Sequence, residues 1–297
     1  MPFNLAVVGQ PQELTTYSYT WKDPVLYALG IGAKRDELDY LYEGKGPKVY
    51  PSFAVVPSFP AMFQALVHCG GNLAMVVHGG ERVVVHKPFA PAGTLKTLAT
   101  VKGIYDMRKF ASAIVEMATN DEQGELVCTT TAQILFRGEG SFGGDPPPKV
   151  DSGISVPKDR PADFRVEEAT SHEQALLYRL SGDVNPLHAD PEFATVAGFP
   201  QGPLLHGLCT YGHMVRHVAR GACDGDGTKI TGFEAQFRKP VWPGDTIVTE
   251  GWKVAPGKIA LTVSVKERAE RAERAERAER AERAETVITN AWATVQE

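Results

Sequence analysis

Cysteine is scarce in this chain, with four in 297 residues, and no two of them form a Cys-x-x-Cys pair. That count and spacing exclude a disulfide scaffold and a zinc ribbon. So few cysteines, without paired spacing, are typical of reduced thiols in a reducing compartment.

An excess of positive charge is also missing. The chain has 31 Lys+Arg against 36 Asp+Glu, a formal net charge of −5. Nucleic-acid-binding domains usually carry clustered basic charge, so the composition excludes a nucleic-acid partner.

No long hydrophobic run and no targeting segment are evident. The least polar stretch, Phe59 to Val77, is interrupted by Gln64, His68 and Asn72, and a bilayer-spanning helix needs about 20 apolar residues. Met1 is not followed by a basic and then an apolar region, and the chain ends Thr-Val-Gln-Glu, unlike a Ser-Lys-Leu peroxisomal ending. We therefore expect a soluble protein of the peroxisome or cytoplasm, with no membrane partner and no secretion.

Several familiar catalytic signatures are missing too. No Gly-x-Ser-x-Gly nucleophile elbow occurs, and Gly30-Ile-Gly32 lacks the third glycine of a dinucleotide loop. His213 and His217 have a metal-ligand spacing but lack the Glu of a His-Glu-x-x-His helix. Asp224 begins a calcium-loop-like turn whose twelfth position is Ala235. The sequence predicts neither a metal nor another cofactor.

A proline-rich linker divides the chain nearly in half. Residues 139–160 include Gly-Gly-Asp-Pro-Pro-Pro-Lys, and consecutive prolines favour extended structure. Tyr27-Ala-Leu-Gly-Ile-Gly lies 151 residues before Tyr178-Arg-Leu-Ser-Gly-Asp, and Lys87-Pro lies 152 residues before Lys239-Pro. Two matches at nearly one offset indicate a duplicated unit. We predict units at 1–138 and 161–297.

The hydrophobic periodicity predicts the same elements in each unit. A short helix (Val25–Leu29; Ser171–Leu180) precedes a longer apolar helix (Pro60–His68; Pro203–Ala219), and four β-type runs follow. These runs are Arg82–His86, Thr94–Gly103, Ala113–Ala118 and Leu126–Phe136, then Ile230–Phe237, Thr246–Val254, Ile259–Val265 and Val287–Val295. A long helix followed by antiparallel strands predicts an α+β fold with each sheet wrapped on its helix.

One segment interrupts this pattern. Residues 267–285 are six Glu-Arg-Ala triplets and a seventh Glu, and the first five Glu residues each lie four residues before an Arg. Such i,i+4 pairs stabilise a helix by about 0.2–0.5 kcal/mol each, but Ala is the only apolar residue. We predict a solvated, partly helical extension between two strands; a partner-binding helix is the alternative.

The segment 178–207 carries the candidate chemistry. Gly182, Asn185 and the proline after it are turn residues, so Asp183 and His188 flank a tight loop. A carboxylate and an imidazole on one loop can share a water and do general acid–base work. Asn185 can anchor the loop, and Gly207, near the start of the following helix, offers a backbone N–H to a developing oxyanion.

This stretch resembles the R-specific (type 2) enoyl-CoA hydratases, members of the MaoC-like group of hot-dog folds. The resemblance rests on residues 178–188, on Ala-Gly-Phe at 197–199 and on Leu-His-Gly-Leu at 205–208. Tyr-Ala-Leu-Gly at 27–30, Tyr-Glu-Gly at 42–44 and Gly-Ser-Phe-Gly-Gly at 140–144 extend it to the first half. The family joins two hot dogs in one chain, so the resemblance implies a double hot dog.

The resemblance also implies an activity: hydration of a trans-2-enoyl-CoA to a (3R)-3-hydroxyacyl-CoA, with an acyl-CoA thioester as substrate and no cofactor. Asp183 and His188 then activate the water, Asn185 holds the loop, and the Gly207 amide polarises the thioester carbonyl. The family's substrate contacts map to His78, Gly79 and Phe237, and Glu43 matches an acidic residue expected to support the site. Candidate cations for the CoA phosphates are Lys87, Arg108, Lys109, Arg238 and Lys239.

The first unit lacks the acid–base pair, because Gly32 stands where the second unit has Asp183. We therefore expect one active site per chain, with the first unit accommodating the acyl chain. Two alternatives stay open: a dehydratase acting on carrier-protein thioesters, and a non-catalytic acyl-CoA-binding module. Both a monomer and a homodimer are compatible with two hot dogs in one chain.

Overall fold

The computed structural model describes residues 2–148, 152–266 and 285–296. Its ten strands form one antiparallel sheet in the order β1-β3-β4-β5-β2-β7-β10-β9-β8-β6. The strands of the first half are β1 Thr15–Tyr19, β2 Val76–Val85, β3 Gly93–Asp106, β4 Phe110–Asn120 and β5 Leu126–Arg137. Those of the second half are β6 Phe164–Ala169, β7 Ile230–Phe237, β8 Thr246–Ala255, β9 Lys258–Val265 and β10 Glu285–Val295.

The two halves share one topology. Counted from its outer edge, each half runs first, third, fourth, fifth and second strand, so the second strands meet at the centre. There β2 pairs with β7 from Gly80 opposite Gln236 to Val84 opposite Gly232. The α+β double hot dog is thus confirmed, with the two predicted sheets joined edge to edge into one.

A long helix packs on each half of the sheet. Helix α3 (Val55–Cys69) lies against β3 and β4, and helix α6 (Gly207–Ala222) lies against β6 and β8. The shorter helices are α1 Lys22–Gly30, α2 Leu38–Leu41, α4 Gln174–Tyr178 and α5 Pro191–Val196. All twelve residues from Leu208 to Ala219 are buried, which makes α6 the centre of the larger core.

The run Pro51–Cys69, which contains α3, is the one helical run in the described residues with the length and apolar composition of a membrane span. Within the fold, 67% of its 18-residue window is buried. This run is therefore a core element packed against β3 and β4.

Several element predictions are wrong in part: strand β2, for example, begins at Val76 and not at Arg82. Helix α6 begins at Gly207 and not at Pro203, because Leu205 is extended and donates its N–H to the Val241 carbonyl at 2.8 Å. Helix α3 begins at Val55, directly after a 3₁₀ turn, and holds Pro60 inside it. The edge strands β1 and β6 were not predicted, because both sequences are rich in polar residues.

The linker and the repeat are described only in part. Residues 139–148 and 152–160 contain no helix or strand. The Ser141 and Gly143 N–H groups both donate to the Asp106 carboxylate, which ties the start of the linker to the end of β3. The predicted extension lies outside the described residues, apart from Glu285 at the start of β10.

Candidate active site

The loop between α4 and α5 presents the two candidate catalytic side chains. The Asn185 side chain accepts the Leu187 N–H at 3.0 Å and caps a 3₁₀ turn that ends at His188. The Asn185 N–H in turn donates to the Asp183 carboxylate at 3.2 Å. Asn185 therefore fixes the loop through local hydrogen bonds, and both candidate side chains are half-buried.

The hydrogen bonds of His188 determine which ring nitrogen is available. Nδ1–H donates to the Leu204 carbonyl at 2.9 Å, so Nε2 carries the free lone pair. Burial lowers the pKa of His188 below its ordinary value, and the nearby Asp183 carboxylate opposes part of that shift. The ring is therefore neutral at pH 7 and can accept a proton at Nε2.

A third side chain completes the cluster. Asp183, His188 and His206 each place one potential ligand atom within 4.8 Å of the others. That spacing lets one water bond to both Asp183 and His188 at about 2.8 Å, while His206 Nε2–H is donated to the Asp183 carbonyl. It also suits a metal ion, but the rings of His188 and His206 stack with centroids 3.7 Å apart and planes at 23°. The bond from His206 Nε2–H to the Asp183 carbonyl also leaves the buried Nδ1 as the only lone pair of the His206 ring, so the donor set fits water better than a metal.

Gly207 is the first residue of α6, where the backbone N–H groups of a helix have no partner inside the helix. The positive end of the helix dipole lies there, which favours a developing negative charge. A Cβ on Gly207 would meet the Phe237 ring at 3.6 Å, so the glycine leaves its amide accessible beside that ring. This is the geometry of an oxyanion-binding donor.

A cavity of about 840 Å³ opens beside His188. Leu176, Pro203 and Trp242 are among its apolar walls, and Lys239 contributes a cation. Pockets for small ligands have about this size and this mixture of surfaces.

His78, Gly79 and Phe237 meet at the junction of β2 and β7. Gly79 is the extra residue of a β-bulge, because His78 pairs with Ile134 while Gly80 pairs with Gln133. The bulge brings His78 onto the same face as Glu81, and the two side chains bond at 2.9 Å. The His78 ring packs edge-on against Phe237, with centroids 5.3 Å apart.

The bulge explains the glycine at position 79. A Cβ there would lie 2.8 Å from Cγ of Leu135. Glu81 is 3% exposed, and burial raises its pKa although its bond to His78 opposes the shift.

Two of the predicted site residues, Arg108 and Glu43, lie away from the cluster of Asp183 and His188. Arg108 is exposed in the turn between β3 and β4, at the same end of the sheet as His78, but β5 separates β4 from β2. Glu43 is exposed in a 3₁₀ turn. Its neighbours Tyr40 and Lys48 bond to Gly225 and Asp226, beyond the carboxyl end of α6.

That position does not fit a supporting role for Glu43, because the 16-residue helix α6 puts about 24 Å between its two ends. The acid of this segment that reaches the interior is the half-buried Glu37, which binds the Arg216 guanidinium from the side opposite Glu168.

The other candidate cations differ in their partners. Lys87 is ion-paired with two carboxylates, Asp121 and Glu125. Lys239 pairs with Glu285, and Arg238 donates to Thr289 Oγ1. Among the proposed cations, Lys239 is the one that lines the cavity beside His188.

In the first unit, Gly32 stands at the position that corresponds to Asp183, and the space around it is occupied by other side chains. A Cβ on Gly32 would lie 2.5 Å from Glu168 Oε1 and 2.6 Å from His213 Nε2. Gly32 also has φ +86°, which an L side chain rarely adopts. A carboxylate like that of Asp183 has no room here.

The sequence reasoning missed the side chains of His206 and Glu81. His206 lies in Leu-His-Gly at 205–207, directly before Gly207, and that adjacency is the signal in the sequence that points to it. Glu81 has no such signal, since strict alternation along a strand puts residues three apart on opposite faces. Only the bulge reverses that relation.

Comparison with known proteins covers both halves. Residues 17–138 match the MFE-2 hydratase 2 N-terminal domain, and residues 155–275 match the MaoC like domain. The chain is 38% identical over 274 residues to the enoyl-CoA hydratase ChsH3 of Mycobacterium tuberculosis, covering 89% of this chain and 94% of that protein.

It is also 38% identical over 259 residues to the mouse peroxisomal multifunctional enzyme type 2. That match covers 84% of this chain but 35% of the mouse enzyme, so the chain spans about a third of that relative.

Among solved structures, a MaoC-like dehydratase from Phytophthora capsici superposes with a TM-score of 0.84 at 29% identity, covering 99% of this chain and 98% of that one. With both halves matched and a relative of similar length 38% identical, the chain belongs to the MaoC-like, hydratase 2 family.

Proposed function

We propose that this chain catalyses the reversible hydration of a trans-2-enoyl-CoA to a (3R)-3-hydroxyacyl-CoA, as in fatty acid β-oxidation. The observation that carries the proposal is the cluster of Asp183, His188 and His206, whose ligand atoms lie within 4.8 Å of one another, together with the unbonded Nε2 of His188. The amide at the start of α6 lies directly after His206, the third member of that cluster. A hydro-lyase needs both an acid–base pair for water and a donor for the thioester oxygen.

The proposed reaction adds one water without external reagents. The Gly207 N–H binds the thioester oxygen and draws electrons from the C2=C3 bond. His188 Nε2 takes one proton from the water as its oxygen bonds to C3, and the Asp183 carboxylate orients that water and stabilises the imidazolium. The proton then passes to C2 and the thioester carbonyl re-forms, which leaves His188 neutral.

The substrate site follows from the surrounding surfaces. We assign the acyl thioester to the junction of His78, Gly79 and Phe237, beside the Gly207 amide. The cavity next to His188 takes the CoA moiety, and Lys239, which is paired with Glu285, is the proposed cation in its lining.

The test is hydration of a medium-chain trans-2-enoyl-CoA with chiral analysis of the product. Wild-type protein is expected to give the 3R alcohol, and Asp183→Asn to lose about 10²–10⁴-fold in kcat, the effect of one general acid–base group. A 3S product, or an Asp183→Asn variant that keeps most of its activity, contradicts the proposal. Tight acyl-CoA binding without turnover would indicate a binding module instead.

The same assay with the acyl group on a carrier protein separates this reaction from that of a carrier-protein dehydratase. We expect kcat/KM to be higher for the CoA thioester. The compartment we propose is the peroxisome or the cytoplasm, since the mouse relative is named as peroxisomal. Cell fractionation with an antibody against the chain tests that placement.

A further inference from the structure

His206 contacts both candidate catalytic residues. Its side chain is 1% exposed, and it is the residue immediately before the first turn of α6. Nε2–H donates to the backbone carbonyl of Asp183 at 3.1 Å. The ring stacks on that of His188, with centroids 3.7 Å apart, and packs against Tyr178 with centroids 4.9 Å apart.

The environment of His206 keeps its ring neutral and in one tautomer. Burial and the neighbouring His188 lower the pKa of His206 to about 2. The bond to the Asp183 carbonyl places the proton on Nε2, so Nδ1 is unprotonated. Nδ1 is buried and has no partner within the described residues. The ring therefore donates from one edge only.

These contacts complement those of Asn185 and Leu204. Asn185 fixes the loop from within, and the Leu204 carbonyl fixes one edge of the His188 ring. Neither fixes the plane of that ring or ties the backbone at Asp183 to α6. The His206 hydrogen bond joins the backbone at Asp183 to the residue directly before the helix that carries the Gly207 amide.

We infer that His206 is a positioning residue for the reaction: its face sets the plane of the His188 imidazole and its Nε2–H ties Asp183 to the start of α6. The inference rests on the proposed function, because it assigns His206 to the same acid–base pair. Acid–base groups misplaced by about 1 Å can lose about 100-fold in rate.

Two substitutions test the stacking on His188 and the hydrogen bond to Asp183 separately. His206→Gln keeps a terminal N–H donor within reach of the Asp183 carbonyl but removes the stacked face. His206→Phe keeps a flat ring against His188 but removes the donor. We expect each variant to lower kcat for enoyl-CoA hydration about 10–100-fold while KM changes less than about threefold.

His217→Gln is the matched control. His217 is a fully buried histidine on the same helix, bonded through Nδ1 to Thr249 Oγ1. This variant is expected to lower the melting temperature and to leave kcat within about twofold of wild type. A histidine on α6 that matters only for stability should behave in this way.

A measurement on the wild-type protein covers the case in which the variants fail to fold. Nitrogen-15 NMR of histidine-labelled protein should show His206 protonated at Nε2 and His188 protonated at Nδ1. The opposite tautomer at His206 overturns the inference, as does an unchanged kcat in both folded variants. If wild-type protein hydrates no enoyl-CoA, the proposed function fails; if wild type is active and both variants match it, only the role of His206 fails.

Discussion

At the scale of single residues, the ring of His188 determines the lower pH limit of the reaction. Its pKa lies below the ordinary value of about 6.5 because burial disfavours the imidazolium. We expect kcat/KM to stay flat as pH falls from 8 to about 6.5, and to drop about tenfold per pH unit only below the pKa of His188.

The Asp183 carboxylate raises that pKa, so its removal has a defined sign. In Asp183→Asn, NMR titration should show the His188 pKa moving further down. If the His188 pKa instead rose in Asp183→Asn, the two side chains would not interact as the loop geometry requires.

The local part of the site could be predicted from the sequence. Asp183, Asn185 and His188 lie within six residues, and turn chemistry alone places them on one loop. The non-local part could not. Gly79 shifts the register of β2 and brings His78 to Glu81, a relation that depends on the pairing of β2 with β5.

Glu43 illustrates the same limit. Sequence likeness selected it as a support for the site, yet Glu37, six residues earlier, is the acid that binds Arg216. Which of two nearby carboxylates reaches Arg216 depends on where α6 passes, and that is set by tertiary packing.

At the scale of elements, helix α6 makes stability depend on pH. Burial lowers the pKa of His213 to about 4 and that of His217 well below its ordinary value. In the unfolded chain both titrate near 6.5, so between pH 6.5 and 4 the unfolded state binds more protons. The stabilisation is complete above pH 6.5 and is lost as pH falls through this window.

We expect each of these histidines to remove about 1 kcal/mol of unfolding free energy per pH unit in that range. Urea unfolding at pH 7, 6 and 5 measures the slope, and His217→Gln should flatten it. An identical slope in the variant would mean that His217 is not buried in its neutral form.

The pairing of β9 with β10 lets us predict the effect of shortening the Glu-Arg-Ala segment. Val265 and Glu285 lie directly opposite each other in the antiparallel pair, so a two-residue turn can join the strands. Replacing residues 266–284 by Asn-Gly should leave kcat within about twofold and the melting temperature within a few degrees. The hydration assay and thermal unfolding test this, and a tenfold loss of kcat would assign the segment a role in turnover.

At the scale of the whole molecule, neither unit is complete without the other. The central strands β2 and β7 pair across the two units, and the larger core combines Tyr27 and Phe53 of the first unit with Tyr211 of the second. Arg216 of α6 joins Glu37 of the first unit to Glu168 of the second. Removing one partner of a buried ion pair typically costs about 3–5 kcal/mol.

We therefore expect residues 161–297 alone to lack both cooperative unfolding and hydratase activity, although they contain Asp183, His188 and Gly207. The full chain should unfold in a single transition. A protease site placed within 152–160 provides the control, because that segment has no helix or strand and the β2–β7 pairing is non-covalent. The cleaved chain should stay associated and active, since cutting leaves every cross-unit contact in place. An active isolated second unit would show that the first unit, including His78 and Glu37, is dispensable for the site.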